Sequence, residues 1–451
     1  MDEILIPVEE EILNLCEEKK YARIRSILSE MNPSDIAALF DEFPEEEAIL
    51  IFRLLPKELA ADTFVEMDSD IQENLIKGFS DTEIRDVMDE IYLDDAVDIV
   101  EEMPANVVKR IISNTPASTR TMINKILEYP EDSAGSIMTV EYVSLRKNMT
   151  VSDALGRIRQ TGIDKETIYT CYVTDYDRHL LGIVTAKDLL LSNEDALIGT
   201  IMTTNMIYVH THTDKEEVAQ KFGKYNFLAM PVVDDETRLV GIVTVDDAMN
   251  VMEEEATEDI EKMAAIHPSD KPYLQTSVFQ TAKSRIPWLM LLMISSTFTS
   301  LIITKFEDAL SVSIALSAAI PMLMDTGGNC GGQASVTVIR ALSLGDVEFK
   351  DIFKVMWKEF RVSLICGVSL AIVNFFKMLI MRSGGVLIAF TVSVALFCSV
   401  VMAKLVGCVL PMFANKLGFD PAVMSSPFVT TIVDALSLLI YFNLAVAILQ
   451  I

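Results

Sequence analysis

Asp434 stands inside the apolar run "SSPFVTTIVDALSLLIYF", with no Lys or Arg near it in sequence. A lone carboxylate at membrane depth is strongly unfavourable, so its default reading is functional; the structural alternative is a hydrogen bond to another helix. Thr430 and Thr431 precede it by four and three residues, which on a helix places three oxygen-bearing side chains on one face. Such a stripe suits a hard cation. Mg²⁺ prefers oxygen, keeps most of its water and needs only one or two carboxylates, whereas zinc or copper would call for His and Cys. No His lies beyond His267.

A second polar stretch, "PMLMDTGGNCGGQAS" (321–335), interrupts another apolar run. Polar side chains and irregular backbone are tolerated at that depth only where protein or a watery cavity covers them. The glycines serve one of two ends: close packing of helices, or a break that turns backbone carbonyls toward an ion path. Asp325 and Asn329 beside them favour a polar path. As one straight helix, 309–339 would be ~46 Å long against a hydrocarbon core of ~30 Å, so it must tilt, project into water or break, and the glycines allow a break or kink there.

The elements that must position these residues are five spans, 286–304, 309–339, 362–381, 386–413 and 427–451, each near or above the ~20 apolar residues that cross a bilayer. Arg340, Lys350, Lys354, Lys358 and Arg361 cluster between the second and third, which places that loop in the cytoplasm. Five spans then leave the N-terminus inside and the C-terminus outside an inner or plasma membrane. The opening "MDEILIPVEEEILNLCEEKK" has no basic stretch ahead of an apolar one and does not read as a signal peptide.

Charge divides the chain. Of 37 Lys+Arg and 66 Asp+Glu, 11 and 9 lie from Arg285 onward, leaving 26 and 57 in residues 1–284, a net of -31. An acidic surface repels nucleic acid and admits cations as partners. The charge is self-repelling, so divalent cations bridging facing carboxylates could draw domains together; the alternative is a merely solvated surface. The six cysteines form no CxxC pair and read as reduced, structural thiols.

The acidic half repeats itself. "SIMTVEYVSLRKNMTVSDALGRI" (136–158) is echoed by "TIMTTNMIYVHTHTDKEEVAQKF" (200–222), an offset of 64, and "GIVTxxD" occurs at 182–188 and 241–247. Each unit reads as a strand, a helix, two strands and a closing helix. This resembles a tandem pair of CBS domains, a family that often binds adenine nucleotides; its threonine–aspartate motif falls on Thr185 and Asp188, and on Thr244 and Asp247. Ahead of the pair, "DIAALFDEFP" (35–44) recurs as "DAVDIVEEMP" (95–104), short amphipathic helices stopped by proline, as in a superhelical array. After it, "DDAMNVMEEEATEDIEKMAAI" reads as a long acidic helix ending before His267-Pro268.

Nearly the whole chain is similar to the MgtE family of magnesium channels, most specifically at "GGNxGxQ" (327–333), "DPAV" (420–423), "PFVTTIVD" (427–434) and "EATEDI" (255–260). The resemblance implies a multidomain chain: an all-α superhelical N domain over 1–130, α/β tandem CBS domains over 131–250, a connecting helix and linker over 251–284, and a five-helix α transmembrane domain over 285–451. It also implies a homodimer with its pore on the two-fold axis. In that family the acid matching Asp434 binds hydrated Mg²⁺ in the pore, the residue matching Asn329 lies near it, and the acid matching Asp420 lies at the cytoplasmic mouth. Sensor positions carry over to Glu58, Asp94, Gly135, Asp214, Glu216, Asp247, Glu255, Glu258 and Asp259. ATP is implied as a regulatory ligand near Thr185, Lys187, Asp188 and Phe227. Asn226 and Asn250 stand where an acid is more usual, and the resemblance assigns no role to Asp325.

The resulting expectation is a Mg²⁺-selective channel for magnesium uptake, gated by cytoplasmic Mg²⁺ through the N and CBS domains, and not an enzyme. No nucleophile–base grouping or phosphate loop is seen. The rivals are a secondary transporter coupling divalent cations to Na⁺ or H⁺, and a membrane-anchored CBS nucleotide sensor. Asp434, Asp420 and the Gly-Asn segment speak against the sensor, since an anchor does not need them.

Overall fold

The computed structural model describes residues 2–269, 273, 276–306, 313–382, 385–424 and 426–450. It divides into two compact units, Met1–Met252 and Glu253–Ile451.

In the first unit, helices begin at Pro33, Glu45, Lys57, Ser69, Asp81, Leu93, Ala105 and Ala117, a constant step of twelve residues. Pro44, Pro56, Pro104 and Pro116 each stand at the N-cap of the helix that follows. Proline cannot continue the preceding helix, and its missing N–H is not needed where a helix starts. At Ser80 a capping box does the same work: its Oγ accepts from Glu83 N while the Glu83 carboxylate accepts from Ser80 N. The repeat also places aromatic rings at a fixed step. Phe40, Phe52 and Phe64 stack edge-on at 6.2 and 6.0 Å, and Phe79 closes on Phe52 at 5.1 Å.

Two three-stranded sheets follow. Tyr142–Leu145 pairs parallel with Thr167–Thr174, which pairs antiparallel with Leu180–Thr185; Val209–His210, Ala229–Val233 and Leu239–Thr244 repeat that order. The two halves interlock, because Thr139, ahead of the first half, bridges Ile242 of the second, and Thr203 bridges Ile183. This explains the glycine of each "GIVT". A Cβ on Gly182 would lie 2.9 Å from Thr203 O, and one on Gly241 would lie 2.8 Å from Thr139 O. The closing helix of the second half runs on without interruption as the connecting helix, Val245–Met263.

The second unit holds helices Val278–Lys305, Ile314–Ser343, Ile352–Ile380, Val386–Lys416 and Ser426–Leu449. Among the described residues, four stretches are long and apolar enough to cross a membrane: Val278–Lys305, Phe349–Ile380, Val386–Lys416 and Pro421–Leu449. Ile314–Ser343 is as long but carries the polar stretch, and it is the most enclosed by its neighbours along its glycines. The first residues of the expected second span, 309–312, lie outside the described residues, as does residue 451 of the fifth.

Two expectations are corrected. No break occurs in the second span: Ile314–Ser343 is one continuous helix through all four glycines, of which Gly327, Gly328 and Gly331 lie against neighbouring side chains, and the backbone ladder is kept. Lys354, Lys358 and Arg361 also lie on the helix Ile352–Ile380 and not in the loop before it, since the long span simply extends past its apolar part.

Candidate ion-binding sites

The glycine helix, Ile314–Ser343, lies against the aspartate helix, Ser426–Leu449, and the glycines set how closely. A Cβ on Gly328 would meet Thr430 Cγ2 at 2.8 Å, one on Gly327 would meet Ser437 Oγ at 2.9 Å, and one on Gly331 would meet Val429 Cγ1 at 2.9 Å. On the far side, a Cβ on Gly407 would fall 2.2 Å from Gly331 O. The glycines therefore serve helix packing. Ser335 Oγ donates to Met424 O at 2.9 Å, and Tyr441 OH donates to Leu316 O at 2.8 Å, fixing the two helices antiparallel at both ends.

This register brings Asp434 into electrostatic reach of Asp325. Asp434 Oδ1 is buried and has no hydrogen-bond partner among the described residues, so the structural alternative of a bond to another helix is not what this oxygen makes. Thr430 faces Gly328, while Thr431 Oγ1 donates back to Pro427 O at 3.0 Å. Asn329 is exposed on the glycine helix, in a row with Asp325, Gln333, Thr337 and Arg340 at steps of three or four residues.

At the other end of the aspartate helix, Asp420 Oδ1 accepts from Ala422 N at 2.7 Å. Its Oδ2 lies 2.7 Å from Lys262 Nζ, which also reaches Glu258 Oε1 at 2.6 Å. Asp259 is pushed above the usual carboxylate range by burial and then by Asp420. Asp420, Glu258 and Asp259 thus share one neighbourhood in the second unit. Glu255 is half-buried on the same connecting helix.

In the first unit, Asp94 is 6 % exposed, and its carboxylate accepts from Asp95 N at 3.1 Å. Burial, and next the charge of Asp247, push it well above the carboxylate range. Burial and Asp247 also raise Asp95 and Asp98 to about 7. Burial and Asp246 raise Glu166 to about 8, and its Oε2 finds no hydrogen-bond partner among the described residues. Burial raises Asp247 to about 6 against the pull of its bond from Thr244. Crowded, desolvated carboxylates with free oxygens suit a hard divalent cation, which would supply the charge they lack.

The remaining positions expected to act as a sensor lie apart. Asp214 caps helix Lys215–Tyr225 by accepting from Glu216 N at 2.9 Å, Glu216 accepts from Gln220 at 3.1 Å, and Gly135 N donates to Thr211 O at 2.9 Å. Ser133 bridges Asp214, so Gly135, Asp214 and Glu216 share one neighbourhood. Glu58 is exposed and acts on Asp62, whose charge reaches Asp95. Asn226 has a plain backbone reason: it ends helix Lys215–Tyr225 in the left-handed conformation, at φ 54°, which asparagine tolerates.

At the nucleotide positions, Asp188 Oδ2 accepts from Thr185 N at 3.1 Å and from Thr185 Oγ1 at 2.6 Å, a capping box on helix Ala186–Leu191. Its other oxygen is not used by the cap. Lys187 is exposed, and Phe227 stacks on Tyr225 at 5.5 Å.

Sequence reasoning passed over Asp95, Asp98, Asp246 and Glu166. The Asp-Asp-x-x-Asp spacing of 94–98 on an amphipathic helix was a usable signal; for Glu166 there was none. It also passed over Lys404, inside the expected fourth span, which lies 3.8 Å from Glu359 with both side chains nearly enclosed.

A family model described as "Divalent cation transporter" matches residues 320–444, "MgtE intracellular N domain" matches 31–132, and "CBS domain" matches 134–193 and 198–254. The chain is 37 % identical over 431 residues to the magnesium transporter MgtE of Thermus thermophilus, covering 95 % of each chain. It is 34 % identical over 441 residues to that of Bacillus subtilis, covering 97 % of this chain and 96 % of that one. A crystal structure of the cytosolic domain of the Mg²⁺ channel MgtE in complex with ATP is 35 % identical, with a TM-score of 0.52, over 54 % of this chain and 99 % of that one. The soluble part of a magnesium transporter is 29 % identical, with a TM-score of 0.53, over 56 % of this chain and 99 % of that one. With a helical N domain, a CBS pair and a multi-pass helical half, the chain belongs to the MgtE family of magnesium transporters.

Proposed function

We propose that the chain is a Mg²⁺-selective channel whose permeation path runs past Asp434, and that cytoplasmic Mg²⁺ closes it. One observation carries this reading: Asp434 has a buried oxygen with no hydrogen-bond partner among the described residues, on a helix packed against the polar glycine helix. A carboxylate so placed is stable when a cation attends it. The exposed row Asp325, Asn329, Gln333, Thr337 and Arg340 supports a homodimer. Polar side chains at membrane depth must face water or protein, and a second copy related by a two-fold axis would enclose a wet path between two such rows.

The four domains run 1–130, 131–250, 251–284 and 285–451, with the N-terminus in the cytoplasm and the C-terminus outside. Closure comes from Mg²⁺ on the acids of the N domain, the CBS pair and the connecting helix. The crowding of Asp94, Asp95, Asp98, Asp247 and Glu166 supports this, since a divalent cation relieves their repulsion. ATP binds the CBS pair near Thr185, Lys187, Asp188 and Phe227 and modulates gating; the ATP complex of the related cytosolic domain supports this.

Transport coupled to Na⁺ or H⁺ is the second reading, favoured by the pair Lys404–Glu359, since an enclosed titratable pair can exchange a proton. The deciding experiment is electrical recording of the purified protein in lipid. Mg²⁺ current that reverses at the Mg²⁺ equilibrium potential, whatever the Na⁺ and H⁺ gradients, supports the channel; a reversal that moves with either gradient supports the carrier.

A further inference from the structure

We infer that Asp325 is a second ion-binding carboxylate of the permeation path, so that each chain presents two acids to the transported divalent cation. The inference rests on the reading that Asp434 lies on that path.

Asp325 is exposed on the glycine helix, one turn ahead of Asn329, in the row that continues through Gln333 and Thr337. The close packing of Gly327 and Gly328 on Ser437 and Thr430 draws this part of the row to the level of Asp434. The charge of Asp325 acts on Asp434, and among the described residues no basic side chain stands beside it in that role. Two carboxylates within electrostatic reach of each other at membrane depth repel unless a cation lies with them.

A separate observation marks the same level as a ligand position. Ser437, one turn beyond Asp434, is fully buried, and its Oγ, lying against Gly327, has no hydrogen-bond partner among the described residues. Asp434 Oδ1 is unpartnered in the same way. Buried polar atoms are normally paired, so two unpaired ones on successive turns, near a second carboxylate, leave unused oxygen lone pairs at that level of the packed helices. Such oxygens suit a hydrated divalent cation held through its own water. Two acids favour a doubly charged ion over Na⁺ or K⁺ more strongly than one acid does.

The test uses the full chain in proteoliposomes, comparing wild type with Asp325→Asn, Asp325→Ser, Asp325→Glu and Asp434→Asn. Mg²⁺ influx is measured against external Mg²⁺, and monovalent current is measured in divalent-free solution with Mg²⁺ added back. Asp434→Asn is expected to lose most of the flux. Asp325→Asn and Asp325→Ser are expected to raise half-saturating Mg²⁺, and the Mg²⁺ that blocks monovalent current, about tenfold, while keeping flux at saturation. Asp325→Glu is expected to stay near the wild type. Wild-type curves for both neutral variants, with Asp434→Asn inactive, would overturn the inference and leave the path reading standing. Wild-type flux in Asp434→Asn would overturn the path reading itself. Equal damage from Asn, Ser and Glu would mark Asp325 as a packing residue and also overturn the inference.

Discussion

Lys262 Nζ bridges Asp420 Oδ2 at 2.7 Å and Glu258 Oε1 at 2.6 Å, so a side-chain cation of the connecting helix stands between two acids. Burial works against the charge of Lys262, but the bonds to Asp420 and Glu258 outweigh it and hold the ammonium above its usual range. The lysine ties the acids together without any metal. Lys262→Met should leave two carboxylates that repel when Mg²⁺ is low and bind it when Mg²⁺ is high. Open probability should therefore rise at low cytoplasmic Mg²⁺, and its dependence on Mg²⁺ should steepen. Single-channel recording checks this, and an unchanged curve would count against it.

The acid cluster of the first unit makes stability depend on pH. Asp95 and Asp98 near 7, Asp247 near 6 and Glu166 near 8 all lie above their unfolded values of about 4. Carboxyls raised in the folded state favour folding while protonated, and that contribution is lost as pH rises from about 4 through 6–8. Without divalent cations, residues 1–130 of the full chain should be cut faster by protease at pH 8 than at pH 6. Mg²⁺ should protect more at pH 8, because it replaces the lost protons. Glu166→Gln should shrink the pH dependence.

The glycines of the helical half should differ in tolerance. Gly407→Ala puts a Cβ 2.2 Å from the backbone oxygen of Gly331, which cannot move alone, whereas Gly328→Ala meets a Thr430 methyl at 2.8 Å. Overpacking costs about 1–3 kcal/mol. Gly407→Ala should give less folded protein in detergent than Gly328→Ala, read by fluorescence-detected size exclusion; the reverse order would contradict the packing described here.

These cases show what the sequence could convey. The 64-residue offset and the doubled "GIVT" reveal the CBS pair because repeats need no knowledge of packing. The recurrence of "DIAALFDEFP" as "DAVDIVEEMP" showed that the N domain repeats, but their 60-residue offset alone does not give the twelve-residue step, which the helix starts supply. The glycine stretch was ambiguous, because glycine permits both a break and a close approach; only the neighbours Thr430, Val433 and Ser437 decide for approach. Among so many acids, charge alone could not single out Glu166, whose burial depends on tertiary packing.

Asp188 serves both a cap and the proposed nucleotide site, and the two roles separate by substitution. Asp188→Ala should lose the capping box with Thr185, at about 1 kcal/mol of local stability. Asp188→Asn should keep a capping oxygen and lose only the charge. If the free oxygen accepts the ribose hydroxyls, both variants should weaken ATP binding by calorimetry. Wild-type affinity in Asp188→Asn would mean that the residue acts only as a cap.

The central claim is that the acidic half reads cytoplasmic Mg²⁺ and sets the gate. A bound ion can shift this equilibrium only by its differential affinity for the closed state, and several weak sites acting together supply that. The most direct measurement is open probability against cytoplasmic Mg²⁺ for the wild type and for the triple variant Asp247→Ala, Glu258→Ala, Asp259→Ala. The triple variant should stay open at Mg²⁺ that shuts the wild type, with single variants shifted part of the way. Superimposable curves would show that the acidic half is a solvated surface and that gating lies elsewhere.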